Sequence, residues 1–137
     1  MAHRERRALG QAGYTLVEIM MVVAIVGIIS AIAVPAYNAQ MQRGKRVAAQ
    51  GEMLKISEWQ QQFLLATRSF GSKTSLEASG FTLNNQVASN YDYSIDLGTG
   101  AVPTYTITFR PKGGMRNTSV LTLDQSGIGS PANEWER

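Results

Sequence analysis

The chain has 137 residues, which is enough for one domain and one membrane helix but too few for two independent domains. It has no cysteine and one histidine, His3, so the rest of the chain cannot form a disulfide bond or any zinc, haem or catalytic site that needs these two residue types. The formal net charge of +3 is too small to predict nucleic-acid binding by the protein surface as a whole.

Residues 1–13 form a short, polar and basic segment that contains Arg4, Arg6 and Arg7. Such a segment is typical of a processing signal that is removed after targeting and that takes no part in the folded core. We therefore interpret 1–13 as a leader peptide.

An apolar run from Leu16 to Val34 follows and contains one charged residue, Glu18. As a helix that rises about 1.5 Å per residue, this run would cross the ~30 Å hydrocarbon core of a membrane. A carboxylate at that depth costs about 2.5–3.5 kcal/mol or more unless it is paired, and no basic residue lies between Gly13 and Arg43. If the chain were cut after Gly13, the new amine of Tyr14 could pair with Glu18 of a neighbouring chain, which is a hypothesis for assembly.

The start of this run resembles the class III signal and N-terminal helix of the type IV pilins. The resemblance rests on Gly13, on the segment Tyr14-Thr15-Leu16-Val17-Glu18, and on an apolar helix with Gly27 and Pro35. Tyr14 stands where the family usually has phenylalanine. The resemblance implies cleavage after Gly13 by a prepilin peptidase, N-methylation of Tyr14, and packing of the apolar helices into a filament core through Glu18, Gly27 and Pro35.

The resemblance also implies a location and a set of partners. The chain would cross the inner membrane once, contact membrane lipid, and place its head domain in the periplasm. It would then be assembled with other pilin subunits by an inner-membrane assembly platform, and the pilus would lie on the cell surface.

A rival cleavage site lies at Ala31-Ile32-Ala33, where small residues follow an apolar stretch as they do in an ordinary secretory signal peptide. Cleavage there would release a soluble protein that begins at Val34. This alternative is less favoured because it gives Glu18 no role, and because the apolar region is longer than the usual ~7–15 residues.

The helical pattern resumes beyond Pro35, which predicts a bend or a loosened turn between Gly27 and Pro35. Apolar residues then recur at three- and four-residue spacing and predict a stripe that faces a core. The stripe consists of Ala49, Met53, Ile56, Trp59, Phe63 and Ala66. The polar residues between them predict a solvated face that consists of Arg43, Lys45, Glu52, Lys55, Glu58 and the glutamines at 60–62.

Residues 68–90 are rich in Ser, Gly, Asn and Thr, which predicts a long loop with little regular structure. Its segment Gly71-Ser72-Lys73-Thr74 is similar to part of a phosphate-binding loop, but no glycine directly precedes the lysine. Nucleotide binding is therefore not expected.

From residue 91 to residue 124 the hydrophobic period changes to two, which predicts three strands separated by glycine- and proline-rich turns. An antiparallel meander, with its apolar face covered by the helix stripe, is the favoured arrangement. The order of parts resembles the pilin fold. The predicted class is α+β, with a long N-terminal hydrophobic helix packed on a three- to four-stranded antiparallel sheet.

The predicted domain organisation has three parts, a leader (1–13), a transmembrane and filament-core helix (14–36), and a head domain (37–137). The head consists of an amphipathic helix (37–67), a loop (68–90) and a sheet (91–124). The segment 121–127, with Trp135 near the end, resembles the PilE-like branch of short pilins, which are often minor subunits. Many type IV pilins close a C-terminal loop with a disulfide, so here that loop must be held by packing and hydrogen bonds.

Acidic residues give little indication of chemistry. Asp92 and Asp96 share a strand face, but four residues separate their backbones by roughly 13 Å, which is too far for a catalytic carboxylate pair. Residues 124–127 could line a calcium loop as in the related type II secretion pseudopilins, although Asp124 alone is weak support for a cation that takes about six to eight oxygens. We therefore expect no enzyme activity, no cofactor and no metal site.

Basic residues form two clusters in the sequence, one at Arg43, Lys45 and Arg46 and one at Arg110, Lys112 and Arg116. The first is expected to meet lipid headgroups or a neighbouring subunit. The second, with Tyr105 nearby for stacking, could contact DNA phosphates. Charged residues that guard a sheet edge are the preferred interpretation of the second cluster, so nucleic acid is the less favoured partner.

Together these patterns favour a structural subunit of a bacterial type IV pilus, of the minor kind, with roles in pilus assembly, adhesion or twitching motility. One alternative is a type II secretion pseudopilin, which predicts a calcium site in the C-terminal loops. The other is the secreted soluble protein that is cleaved after Ala33.

Overall fold

The computed structural model describes residues 13–135, so the predicted leader lies outside the described residues except for Gly13. The chain divides into two compact units, of which the first ends at Ala39 and the second begins at Gln40. Helix α1, Leu16–Thr67, begins in the first unit and ends in the second.

Helix α1 has 52 residues and continues through Pro35, so the proline does not end the helix. Whether it bends α1 stays a prediction. Every residue from Gly13 to Gly44 is exposed, whereas the helix becomes buried in part beyond that point. It ends at Thr67. The next residue, Arg68, has a left-handed φ of 61° and donates its backbone N–H to the carbonyl oxygen of Leu64 at 3.0 Å.

The second unit contains one antiparallel sheet with the strand order β1-β2-β3-β4. The strands are β1 Tyr91–Leu97, β2 Tyr105–Pro111, β3 Leu121–Asp124 and β4 Gly129–Ser130. The α+β class and the meander are therefore confirmed. The predicted sheet, 91–124, ends too early, because a strand of two residues is too short to show an alternating pattern.

The core lies between the inner face of the sheet and the stripe on α1. The register places Tyr93 opposite Phe109 and Ile107 opposite Leu123. All of these side chains are buried, as are Ala49, Met53 and Ile56 of the predicted stripe. Trp59 and Phe63 are partly buried against the same cluster. Ala66 is exposed, contrary to the prediction, because it lies next to the end of α1.

Two residues of the predicted solvated face are buried instead. Gln60 is fully buried, because it lies four residues after Ile56 and therefore on the same helix face. Its Nε2 donates to the carbonyl oxygen of Gly71 at 2.7 Å, and the N–H of Gly71 donates to its Oε1 at 2.8 Å. Glu52 is 6% exposed and accepts a hydrogen bond from Nζ of Lys55 at 2.7 Å.

The loop between α1 and the sheet contains two short helices, α2 Lys73–Ala78 and α3 Asn85–Ala88. Leu76 and Val87 anchor them in the core. At the start of this loop, a β-carbon on Gly71 would lie 2.8 Å from Cδ2 of Phe63, which is too close for any side chain. Gly71 is therefore a packing glycine.

Replacing Gln60 by methionine tests the contact with Gly71. The substitution keeps the shape of the side chain but leaves a buried N–H and a buried carbonyl without partners, so we expect the free energy of unfolding to fall by about 1–3 kcal/mol. Gln61→Met, at an exposed neighbouring position, is the control and should change stability by less than about 0.5 kcal/mol. Equal unfolding midpoints for the two variants in chemical denaturation would contradict this role.

Candidate functional site

The first unit presents an apolar helix surface that no other described part of the chain covers. An 18-residue window of α1 has a mean hydropathy of 2.7, and none of it is buried. This stretch has the length and composition of a membrane-spanning helix. A β-carbon added to Gly27 would have no described atom within 4 Å, and Pro35 lies further along the same exposed surface. We expect the cover for this surface to come from outside the chain.

The described residues at the predicted cleavage site, from Gly13 onward, are exposed, and they include the start of α1. Gly13 precedes α1, and Tyr14 is 79% exposed. Oγ1 of Thr15 accepts a hydrogen bond from the backbone N–H of Glu18 at 3.2 Å. Threonine followed three residues later by glutamate is the sequence of a capping box, and a carboxylate in the first turn is favoured by the helix dipole. Thr15 therefore caps α1, a role that the sequence analysis missed although its spacing from Glu18 indicates it.

In the second unit, three basic residues lie at the end of β2 and just beyond it. Arg110 is exposed on the outer face of β2, and Lys112 and Arg116 flank a short 3-10 helix, Gly113–Met115. Met115 is fully buried, and the N–H of Lys112 donates to the carbonyl oxygen of Asn90 at 2.7 Å. These two anchors fix the backbone that carries the basic side chains.

Lys45 of α1 reaches this same segment. A β-carbon on Gly114 would lie 3.8 Å from Nζ of Lys45. The other two members of the predicted first cluster do not accompany it, because successive residues of a helix are turned by about 100°. Arg43 is exposed, and Arg46 is partly buried in an ion pair with Glu134.

Arg46 therefore serves a different contact from Lys45, and Lys45 approaches the backbone between Lys112 and Arg116. We call the set of Lys45, Arg110, Lys112 and Arg116 the basic surface. Sequence analysis could not find it as one set, since nothing in the local pattern indicates which residues of the helix approach the turn after β2.

One residue of the basic surface is paired with a carboxylate. Nζ of Lys112 lies 2.6 Å from Oδ1 of Asp92, and both side chains are substantially exposed. Exposed pairs of this kind contribute about 0.2–1 kcal/mol to stability. Arg110 donates a long hydrogen bond to Oγ of Ser94 at 3.4 Å. Among residues 13–135, the other three basic residues of this surface form no ion pair.

Tyr105 cannot serve as a stacking group, contrary to the prediction. It is 1% exposed, its hydroxyl is hydrogen-bonded to Oγ of Ser57 at 2.8 Å, and its ring packs against Phe70 with 4.6 Å between the ring centroids. The prediction was wrong because strand alternation puts Tyr105 on the core face. Among residues 40–135 no aromatic side chain is exposed, whereas Tyr37, at the start of the predicted head, is 66% exposed.

A groove opens beside Lys45 and has a volume of about 530 Å³. Its wall combines α1 with the end of α3, and its lining residues are Met41, Gly44, Lys45, Ala48, Gln86, Ser89 and Asn90. The amide of Asn90 is already used, since Nδ2 donates to the carbonyl oxygen of Gln86 at 2.7 Å. The groove thus adds polar side chains next to the basic surface.

In the suggested calcium loop, 124–127, the carboxylate of Asp124 accepts hydrogen bonds from the turn that follows it. Oδ1 of Asp124 accepts hydrogen bonds from the N–H of Ser126, the Oγ of Ser126 and the N–H of Ile128, at 2.9, 2.6 and 2.9 Å. These bonds hold the pKa of Asp124 below its usual value and close the turn between β3 and β4. Within the described residues no group of three or more acidic, histidine or cysteine side chains could hold a metal ion.

Two family models match the chain. The family model described as "Type IV minor pilin ComP, DNA uptake sequence receptor" matches residues 35–123, which is more than half of the chain. The chain belongs to this family. A second model, the prokaryotic N-terminal methylation motif, matches residues 9–34. The protein is therefore a type IV pilin.

Several curated fimbrial proteins are similar to this pilin. The fimbrial protein of Neisseria meningitidis serogroup B is 31% identical over 96 residues, which cover 67% of this chain and 53% of that protein. The type IV major alpha-pilin of Moraxella bovis is 44% identical over 43 residues (31% and 27%), and the major fimbrial protein FimA of Dichelobacter nodosus is 52% identical over 44 residues (32% and 26%).

The matched region spans about half the length of the first of these relatives and about a quarter of the other two. No solved structure gives a significant match to this pilin.

The C-terminal segment of the pilin is held without a disulfide. Nε of Arg46 lies 3.0 Å from Oε2 of Glu134, and Nε2 of Gln50 donates to the carbonyl oxygen of Glu134 at 2.7 Å. Burial raises the pKa of the neighbouring Tyr91. The indole of Trp135 covers Gly129, where a β-carbon would overlap the ring. Helix α1 and β4 thus fix the end of the described chain.

Replacing Gly129 by alanine tests this C-terminal packing. The new methyl group would push the indole of Trp135 away, so we expect the Trp135 fluorescence to shift to the red and the protein to lose about 1–3 kcal/mol of stability. The measurement uses a Trp59→Phe background, which leaves Trp135 as the one tryptophan. Gly100→Ala is the control, since its nearest atom, the carbonyl oxygen of Val102, lies at an ordinary 3.7 Å. An unshifted emission in Gly129→Ala would contradict the packing.

Proposed function

We propose that this pilin is a minor subunit of a type IV pilus that contacts duplex DNA through the basic surface. The observation that carries the proposal is the approach of Lys45 to the turn after β2, which joins basic residues from α1 and from the sheet. The description of the matching family, a DNA uptake sequence receptor, supports the same ligand. Together, the contact of Lys45 and the family description support DNA as a partner more strongly than the sequence pattern alone does.

The chemistry of the basic surface suits the phosphate backbone of a duplex. Lysine and arginine neutralise phosphates and release bound counterions, which supplies affinity without reading sequence. Single-stranded nucleic acid is usually bound by stacking on exposed aromatic side chains, and residues 40–135, which carry the basic surface, have none. Gln86, in the groove beside Lys45, carries an amide of the kind that reads base edges.

We further propose the processing route that the N-terminal motif implies. A prepilin peptidase cleaves after Gly13 and Tyr14 is N-methylated, which agrees with the methylation-motif match over residues 9–34. The apolar helix holds the subunit in the inner membrane, with the head in the periplasm, until the assembly platform moves it into the filament. The uncovered surface of α1 up to Gly44 supports this route, because lipid or other pilin helices would cover it.

Within the filament, Glu18 would pair with the methylated amine of Tyr14 of a neighbouring subunit. The capping contact with Thr15 uses the backbone N–H of Glu18, so any residue other than proline at position 18 would keep it. Substitution of Glu18 therefore tests its carboxylate and leaves the cap in place. Gly27 and Pro35 are proposed as further packing positions in the filament core, and adhesion and twitching motility remain predictions for the assembled pilus.

The DNA contact is tested by the salt dependence of binding. The mature chain in neutral detergent is titrated with a fluorescent DNA duplex from roughly 50 to 200 mM salt. Removing one phosphate contact in Lys45→Gln or Arg116→Gln should weaken binding and lower the slope of log K against log salt by about 0.9. Arg68→Gln removes the same charge from an exposed residue just after α1, outside the basic surface, and is the control. Losses equal to those of the control would refute the basic surface as the DNA site.

The assembly role is tested by comparing Glu18→Gln with Glu18→Ala. If Glu18 neutralises a neighbouring amine, both substitutions should abolish incorporation into filaments, measured by immunoblotting of sheared pili. If the charge of Glu18 has no role in assembly, Glu18→Gln should assemble as the wild type does. The mass of the processed N-terminus is the control, since both variants must still be cut after Gly13 for the comparison to hold.

A further inference from the structure

The basic surface contains one acidic residue, Asp92. It lies on β1 directly opposite Arg110 in the strand register, and its Oδ1 is 2.6 Å from Nζ of Lys112. The carboxylate is thus adjacent to two of the four basic residues that form the surface. Its side chain is 72% exposed, so it meets solvent and any ligand that reaches Lys112.

The pair between Asp92 and Lys112 has no evident role in holding the fold. The backbone around Lys112 is fixed by its own N–H, which donates to Asn90, and by the buried Met115. Both charged side chains extend into solvent, where the attraction between opposite charges is weak and is screened by salt. The contact is therefore easy for a competing anion to replace.

We propose that Asp92 is an internal competitor for the phosphate group that Lys112 would otherwise bind. This rests on the proposed contact between the basic surface and DNA. While Asp92 holds Lys112, three of the four basic residues are available to the backbone of a duplex. A fourth contact forms only when a phosphate displaces the carboxylate, so Asp92 lowers the affinity for DNA that touches the surface only through its backbone.

This arrangement has a consequence for discrimination between ligands. Affinity from phosphate contacts is independent of sequence and would favour any DNA. A carboxylate within the basic surface lowers the part of the affinity that comes from phosphate contacts. It leaves contacts to base edges unchanged. Asp92 therefore sets the level of unspecific binding and keeps such complexes short-lived.

The strand supplies a matched control for the test. Asp96 lies on the same face of β1, opposite Thr106 in the register. It is exposed and, among residues 13–135, forms no ion pair. Asp96→Asn changes the net charge by the same amount as Asp92→Asn, about 13 Å further along the strand. Any difference between the two variants reports the local contact with Lys112 rather than the charge of the whole protein.

The experiment measures the binding of a fluorescein-labelled duplex of arbitrary sequence to the full mature chain in neutral detergent. Asp92→Asn should bind about threefold to tenfold more tightly than the wild type at roughly 50 mM salt, and the slope of log K against log salt should steepen by about 0.9. Asp96→Asn should stay within about twofold of the wild type. In a Lys112→Gln background, Asp92→Asn should produce no gain.

The outcomes separate this proposal from the one on which it rests. Wild-type binding with an unchanged Asp92→Asn, or equal gains in both aspartate variants, would overturn the role of Asp92 and leave DNA binding intact. Absence of binding in the wild type and in every variant would overturn both proposals. Binding that appears only in Asp92→Asn would support the competitor role. Asp92→Ser repeats the test with a smaller side chain, and circular dichroism confirms that each variant is folded.

Discussion

The contact between the apolar stripe of α1 and the inner face of the sheet determines the rest of the head. Once Ala49, Met53 and Ile56 are buried against the strands, the rotation of this part of the helix about its own axis is fixed. That rotation directs Gln60 toward Gly71 and Gln50 toward the C-terminal segment. The helical period fixes the angle between any two residues around the helix axis. Burial of the apolar stripe therefore also fixes the directions in which Gln50 and Gln60 point.

The same rotation explains why the adjacent residues Lys45 and Arg46 contact different parts of the head. Lys45 is directed to the turn after β2, and Arg46, one position later, pairs with Glu134. A disulfide would fix the end of the chain by a single covalent bond. Here the ion pair, the hydrogen bond from Gln50 and the packing of Trp135 on Gly129 share that task. The head therefore depends on correct packing of α1 both for its C-terminal closure and for the position of Lys45.

Much of the fold could be predicted from the sequence, since the apolar run, the stripe and the alternating strands all have periods that identify their structure. Gln60 was wrongly assigned to the solvated face because it is polar, although its spacing from Ile56 places it on the buried face of α1. Strand β4 is too short to have a period. The basic surface escaped prediction for another reason, because the meeting of Lys45 with Gly114 is a tertiary contact with no local signal. The N-terminal motif could be predicted from its resemblance to the type IV pilins. The helix cap within it was not predicted, although the spacing of Thr15 and Glu18 indicates it.

The cap at Thr15 is relevant to a helix that would lie first in the membrane and later in the filament. Its hydroxyl belongs to a residue on the C-terminal side of the proposed cut, and it bonds the N–H of Glu18. Loss of the leader would therefore leave the first turn of α1 with its own hydrogen-bond acceptor. The helix that is recognised in the bilayer and the helix that is packed into a fibre would begin at the same residue, so proteolysis would change what the subunit can join without requiring it to refold.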